Sequence, residues 1–191
     1  MIRPLRKDAA DRRHALLDAA RAVFAEEGID TPLDRIADRA GVGRATLYRN
    51  FPGRTELALA VLLEDVAELG ERFAAPTAPG AFLDFISALS ERLTENTALG
   101  GVVRAAPSPE LLKPLRAAIV AAAGPALAVS QAAGAVRPDL TSADLRVLAA
   151  MLGAGLHNAE PEERNAIARR TLELVLDAIR ARPETRAGSR S

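Results

Sequence analysis

Five polar side chains fall within one seven-residue segment of the sequence, and their types are those that contact nucleic acids. They are Arg44, Thr46, Tyr48, Arg49 and Asn50. Arginine donates to guanine edges and phosphates, Thr and Tyr hydroxyls donate to phosphate oxygens, and Asn pairs with adenine. The sequence gives no comparable support for catalysis or metal binding. It has no Cys, no glycine-rich phosphate loop and two isolated histidines, His14 and His157.

The charge of the chain is divided between its two ends, although the formal net charge is zero. Residues 1–55 hold 11 Arg and Lys against 8 Asp and Glu, a net of +3, so the rest carries −3. A basic head on an acidic body suits a protein whose head touches phosphates. Arg3, Arg6 and Lys7 either form a basic arm that reaches a minor groove or belong to a disordered end.

The elements that would position the polar segment are two short helices joined by a tight turn. The first helix has every start signal, with Thr31 as the cap, Pro32 at the first helical position and Asp34 at the capping-box site. Its apolar stripe has helical spacing and consists of Leu33, Ile36, Ala37 and Ala40. We therefore predict a helix that begins at Thr31 and packs through one face.

The turn and the second helix complete a helix-turn-helix. Ala37 provides the small contact between two steeply crossing helices, and Gly41 tolerates the positive φ of the turn. Leu47 would anchor the second helix, which leaves its polar face outward. Such a helix enters the major groove N-terminus first, so Arg44 and Ala45 would lie nearest the bases.

Three stretches between about residues 12 and 64 resemble the N-terminal domain of the TetR/AcrR family of transcriptional regulators. They are LDRIADRAGV, GVGRATLYRNF and PGRTELALAVL. The resemblance implies that Thr31 and Arg44 contact phosphate or base at the edges of the groove. It also implies that Thr46 and Tyr48 hold the DNA backbone, and that Arg54 contacts phosphate with the amides of the following helix. Taken alone, Tyr48 would also fit a core tyrosine.

Two positions depart from the family's pattern. Gly43 stands where the family often has Ser, so side-chain capping of the second helix is lost. Ala45 stands where Gly is common, and its methyl group would be able to contact a thymine. The operator sequence therefore cannot be derived from the resemblance.

The sequence predicts an all-α fold with three segments: a helix-turn-helix DNA-binding domain at 1–53, a helical effector-binding and dimerisation domain at 54–181, and a disordered tail at 182–191. The break at Ala75–Gly80 contains two prolines and a glycine. Besides the two short helices, we predict helices at 8–27, 54–74, 81–96, 109–122, 125–134, 142–158 and 161–181.

A head of this size covers one half-site, so reading a palindrome requires a homodimer. The predicted interface lies on the last two helices, as a four-helix bundle formed by two subunits. Its residues are Leu148, Leu152, Leu156, Leu172, Val175, Leu176 and Ile179. The other interpretation is that these stripes form the core within one chain.

The middle helices correspond to the region that encloses a small-molecule pocket in the family. The candidate pocket residues are Phe82, Phe85, Leu89, Val103, Leu112, Ile119, Met151 and His157. A pocket of this composition would bind an apolar or amphipathic effector. Ordinary packing is the better explanation for any single one of these residues.

These observations predict a ligand-responsive repressor that is released from its operator when an effector moves helix 54–74. An activator or a regulator without a ligand, an enzyme, and a nucleoid protein without sequence preference are the alternatives, and the last two have little support. We expect no cofactor and no metal. We also expect a cytoplasmic protein, because the chain starts without a signal peptide and contains no long apolar run.

Overall fold

A computed structural model describes residues 4–106, 108–156 and 159–181, without the side chains of 4–8, 104 and 161. The predicted all-α class is confirmed. The helices are α1 Pro4–Glu27, α2 Leu33–Ala40, α3 Arg44–Asn50, α4 Arg54–Arg72, α5 Ala81–Glu95, α6 Thr97–Arg104, α7 Lys113–Ala132, α8 Asp144–Ala154 and α9 Pro161–Ile179, with a 3-10 turn at Pro109–Leu112 before α7. The predicted tail, Arg3 and His157 lie outside the described residues.

The head consists of α1, α2 and α3 around a small apolar core. Phe24 of α1, Ile36 of α2 and Leu47 of α3 are fully buried in it. Gly41 ends α2 in the left-handed conformation, at φ 65° and ψ 29°, as its lack of a Cβ allows. The N–H of Val42 then bonds the carbonyl of Ala37 at 3.1 Å, which closes the turn.

The start of α2 differs from the prediction. Thr31 does not cap it: Pro32 occupies the cap position without a side-chain hydrogen bond, and α2 begins at Leu33. The Thr31 hydroxyl instead donates to the carbonyl of Glu27 at 3.1 Å. The carbonyl groups at the end of α1 have no partner within that helix, so the hydroxyl satisfies the preceding helix and not the following one.

The body packs around α5. The Phe82 and Phe85 rings stack with centroids 6.5 Å apart, and Phe73 meets Phe85 edge-on at 5.4 Å. Ser130 of α7 is buried and its hydroxyl accepts the N–H of Phe82 at 2.9 Å. A first-turn amide of α5, which has no partner within its own helix, is thereby satisfied.

The helix α7 is continuous where the sequence predicts two helices separated at Gly124-Pro125. Pro125 lies inside it and is exposed, as is Ala121, whose carbonyl a residue with an N–H at position 125 would have bonded. Water can therefore satisfy that carbonyl, while Ala123 and Ala126 hold both halves of the helix to the core. The other predicted helices of the body agree to within four residues at each end.

One stretch of the described chain corrects the expectation that no segment is long and apolar enough to span a membrane. It lies within Pro109–Ala132, where an 18-residue window has a mean hydropathy of 1.4. Leu115, Ala123 and Leu127 of this stretch are buried against the rest of the body. Length and composition alone therefore do not distinguish it from a core helix.

A helix that the sequence analysis missed, α6, connects the body to the head. Leu99 and Val102 of α6 are buried in the apolar core of the head, together with Leu57 and Val61 of α4. The packing of the head therefore continues past residue 53, where the predicted domain boundary lies.

A buried polar network crosses the same junction. The guanidinium of Arg21 on α1 donates twice to one oxygen of Asp65 on α4, at 3.0 and 2.8 Å. The other Asp65 oxygen accepts from the side chain of Asn96, between α5 and α6, at 2.9 Å. Burial raises the pKa of Asp65, against the attraction of Arg21. Asp65 thus connects three segments through a charge that the apolar surroundings disfavour.

An exposed histidine extends this network and gives it a pH dependence. Nδ1 of His14 lies 2.8 Å from Oε1 of Glu64, and Nε2 lies 3.7 Å from Asp18. The hydrogen bond to Glu64 and the charge of Asp18 raise the pKa of His14 above 6.5. The added stability is therefore complete below the unfolded-state pKa and is lost as pH rises through the folded-state value.

We expect His14→Gln to melt below the wild-type protein at pH 5.5 and at the same temperature at pH 9. At the lower pH the variant lacks a cation between two carboxylates, and at the higher pH that cation is absent from both proteins. Thermal unfolding followed by circular dichroism checks this. An equal difference at both pH values would mean that the charge of His14 contributes nothing.

Candidate nucleic-acid interface

The helix α3 turns one side toward the head core and the other toward solvent. Leu47 is fully buried and Thr46 is half-buried, whereas Tyr48 is 48% exposed, which makes a core role for this tyrosine wrong. The other exposed positions of the helix are Arg44, Ala45, Arg49 and Asn50. The polar face predicted from the sequence is therefore available to a ligand.

Three of these side chains have partners within the head. The guanidinium of Arg44 lies 2.8 Å from the Asp34 carboxylate of α2. Arg49 Nε donates to the carbonyl of Ala45 at 3.1 Å, and Asn50 Nδ2 donates to that of Thr46 at 2.8 Å. These are exposed contacts that a phosphate or a base edge is able to replace or share.

A notch of about 260 Å³ lies between α1 and α3. It is lined by Arg12, Thr46, Arg49 and Asn50, and by Ala9 near the start of α1. Two guanidinium groups, a hydroxyl and an amide around an open concavity are suited to a phosphate group. Sequence reasoning missed Arg12, because nothing in the run Asp11-Arg12-Arg13 shows that α1 passes beside α3.

Thr31 and Arg54, to which the resemblance assigns phosphate contacts, bond to other groups of the head in this structure. Thr31 is 8% exposed and its hydroxyl is bonded to Glu27. The Arg54 guanidinium donates to the carbonyls of Asp30 and Thr31 at 3.1 and 3.0 Å, and its Nε is buried without a partner. Arg54 therefore holds the loop between α1 and α2 in place.

The residues predicted for an effector pocket are core residues in this structure. Phe82, Phe85, Leu89 and Leu112 are buried, and Val103 and Ile119 pack against the same core. Met151 is 44% exposed on the outside of α8, so its assignment to an internal pocket is wrong. The assignment of His157 falls outside the described residues.

Five of the seven residues predicted for the dimer interface are buried within the chain. They are Leu148, Leu152, Leu156, Val175 and Ile179, and the remaining two, Leu172 and Leu176, pack against the body core. The large apolar side chains exposed on α8 and α9 are a different set: Val147 and Met151, one turn apart on α8, and Leu174 on α9, at 49%, 44% and 53% exposure. We call these three residues the outer apolar face.

Residues 16–61 match the family described as bacterial regulatory proteins, tetR family, and residues 77–181 match the C-terminal domain of SbtR-like transcriptional regulators. An HTH-type transcriptional regulator of Staphylococcus aureus is 36% identical over 63 residues, 32% of this chain and 34% of that protein. The chain thus matches about a third of the length of such curated relatives.

Solved structures resemble the chain over nearly its whole length. A TetR transcriptional regulator from Streptomyces coelicolor is 33% identical with a TM-score of 0.65, over 90% of this chain and 99% of that one. A TetR regulatory protein from Mycobacterium vanbaalenii is 29% identical with a TM-score of 0.65, over 93% and 100%. Both parts of the chain match transcriptional regulators, and the polar face of α3 is exposed. The chain belongs to the TetR family of DNA-binding transcriptional regulators, which are not enzymes.

Proposed function

We propose that this protein is a cytoplasmic repressor that binds a palindromic operator as a homodimer and leaves it when a small apolar or amphipathic effector binds. The observation that carries the DNA-binding part is the exposed polar face of α3 beside the Arg12 notch. Leu47 fixes this face on a buried core, so the side chains are presented without reorganisation of the head. Base edges would meet Arg44 and Ala45, and phosphates would meet Arg12, Thr46, Tyr48 and Arg49.

The homodimer is supported by the outer apolar face. Three large apolar side chains exposed together on two adjacent helices favour burial against another surface. A second copy would bring the same face, and α8 and α9 of the two copies would then form a four-helix bundle. Reading a palindrome requires two heads held at a fixed spacing, which such a bundle would provide.

A footprint of the purified protein on the DNA upstream of its own gene, with scrambled competitor at near-physiological salt, tests the proposal. Protection of a discrete palindrome is expected. Uniform, strongly salt-dependent protection without a preferred site would indicate a nucleoid-type binder and overturn the operator. Repression itself is tested by a reporter that carries the protected site.

We expect Arg44→Ala to weaken binding to the protected site by about tenfold to a hundredfold, since a base-reading arginine contributes about 1–3 kcal/mol of discrimination. Fluorescence anisotropy with the operator and a scrambled duplex measures the change. Arg137→Ala is the matched control: Arg137 is also exposed and ion-paired, with Asp139, in the loop after α7. Equal losses on both duplexes would assign Arg44 to phosphate and not to a base.

A further inference from the structure

A second concave site lies where the head meets the body, at the edge of the body core. It has a volume of about 360 Å³ and is shallow, more open to solvent than enclosed. Its apolar walls come from the turn after α3, from α4, and from the 3-10 turn and start of α7. The residues are Phe51, Pro52, Leu59, Leu63, Leu111 and Leu115. We call this cavity the junction cleft.

Two helices that pack tightly at one end form the long walls of the junction cleft. A Cβ placed on Gly70 of α4 would lie 3.4 Å from the Cβ of Ala122 on α7, so the helices are in contact there. Nearer the head, Ala60 and Leu63 of α4 face Leu115 of α7 across the cleft. The volume falls within the range of small-molecule sites, whose walls are mostly apolar.

Two charged side chains stand at the rim, and the structure leaves one of them available. Oε2 of Glu56 lies 2.8 Å from the position that a Cβ on Gly53 would take, so this carboxylate is turned toward the N-terminus of α4. An anion is favoured there by the helix dipole. Arg13 has its guanidinium carbon 4.6 Å from the centroid of the Phe51 ring. Among the side chains that the structure describes, no carboxylate lies within ion-pair distance of Arg13, and Asp18 and Glu64 are paired with Arg21.

We propose that the junction cleft binds a small amphipathic organic acid. The apolar chain or ring would lie between α4 and α7, and the carboxylate would accept hydrogen bonds from Arg13, where the guanidinium already stacks on an aromatic ring. Within the described part of the chain, none of the residues predicted for the effector pocket lines the junction cleft.

Binding at this place would affect DNA binding, and this part rests on the proposed function. The cleft is lined by Asn50, the last residue of α3, and by the turn that follows it. Its opposite wall, at Leu111 and Pro114, belongs to the body. A ligand bound between them would shift α3 relative to the body. It would weaken DNA binding to the extent that the ligand binds the shifted arrangement more tightly than the DNA-binding one.

Sodium decanoate and decyltrimethylammonium bromide, with equal chains and opposite charges, test the site in titration calorimetry with the full chain. We expect the carboxylate to bind and the ammonium to bind at least about tenfold more weakly. Ala60→Trp, which fills the cleft, should reduce decanoate binding by about tenfold or more, whereas Ala67→Trp, two turns along α4 and exposed, should not. Arg13→Gln gives the same test at an exposed position where folding is not at risk.

Two results would overturn the site. One is equal binding of the two amphiphiles, and the other is decanoate binding that both Ala60→Trp and Arg13→Gln leave unchanged. The coupling is tested by operator anisotropy with and without saturating decanoate, where a loss of about fivefold or more is expected. Unchanged operator affinity would overturn the coupling and leave both the site and the operator in place. Decanoate binding without any preferred operator would overturn the proposed function and leave the junction cleft.

Discussion

Replacing Arg21 with glutamine is expected to lower the free energy of unfolding by about 3–5 kcal/mol, the range seen when one member of a buried ion pair is removed. Asp65 is 3% exposed and would keep only Asn96 as a partner among the contacts that the structure describes. The large effect comes from the charge left behind, since an exposed ion pair contributes about 0–1 kcal/mol. Urea denaturation measures the change.

Two variants separate this mechanism from a general loss of packing at α1. Arg39→Gln removes an exposed ion pair with Glu26, which solvent screens, and should lower the free energy of unfolding far less than Arg21→Gln. The double variant Arg21→Met, Asp65→Leu removes both charges and should recover most of the loss. If the double variant is less stable than Arg21→Gln, the buried charge is not the cause.

The pH dependence of Arg21→Gln follows from the same charge. Burial raises the pKa of Asp65 while Arg21 opposes the rise, so the pKa is higher still without Arg21. The folded variant then binds a proton more tightly than the unfolded chain, whose Asp has a pKa of about 3.8. Its stability should therefore increase as pH falls toward that value, and the difference from the wild-type protein should shrink.

Placing a charge on the outer apolar face, as Leu174→Glu, is expected to convert the protein to a monomer and to weaken operator binding by about a hundredfold or more. In a two-fold interface one substitution introduces two carboxylates into the same apolar surface. The loss for DNA is large because linking two half-site readers raises affinity by about 10²–10⁴. Sedimentation velocity and operator anisotropy measure the two effects.

A matched control exists on the other side of the body. Val120 of α7 is 37% exposed and lies outside α8 and α9, so Val120→Glu should leave both mass and operator affinity unchanged. A dimeric Leu174→Glu protein would show that the outer apolar face is not where two copies meet. A monomer that retains full operator affinity would show that one head is sufficient for binding.

Local chemistry made the turn and the helix α3 predictable. Gly41 was assigned to the turn because a left-handed residue was needed there, and α3 follows from the position of that turn and from its anchor at Leu47. The predicted cap at Thr31 is wrong because the hydroxyl of a threonine between two helices is able to bond a backbone group of either helix. The sequence shows the hydroxyl but not the distance to the carbonyl of Glu27.

Periodicity identified apolar stripes in the body but not the surface that each one meets. Leu148 and Leu152 form the strongest stripe of α8, and the strongest stripe was buried within the chain. The weaker stripe of Val147 and Met151 is exposed. The Arg21–Asp65–Asn96 network and the junction cleft were not predictable, since each joins residues far apart in the chain.

The position of α6 limits how the DNA-binding head of such a regulator can be joined to the body of another one. Leu99 and Val102 fill the core of the head from beyond α5, so a fragment that ends after α4 would carry a vacant hydrophobic socket. A chimera that transplants the operator-reading region onto another body must therefore match that body's α6 to the socket. Recombination at the helix-turn-helix boundary alone would separate two surfaces that pack against each other.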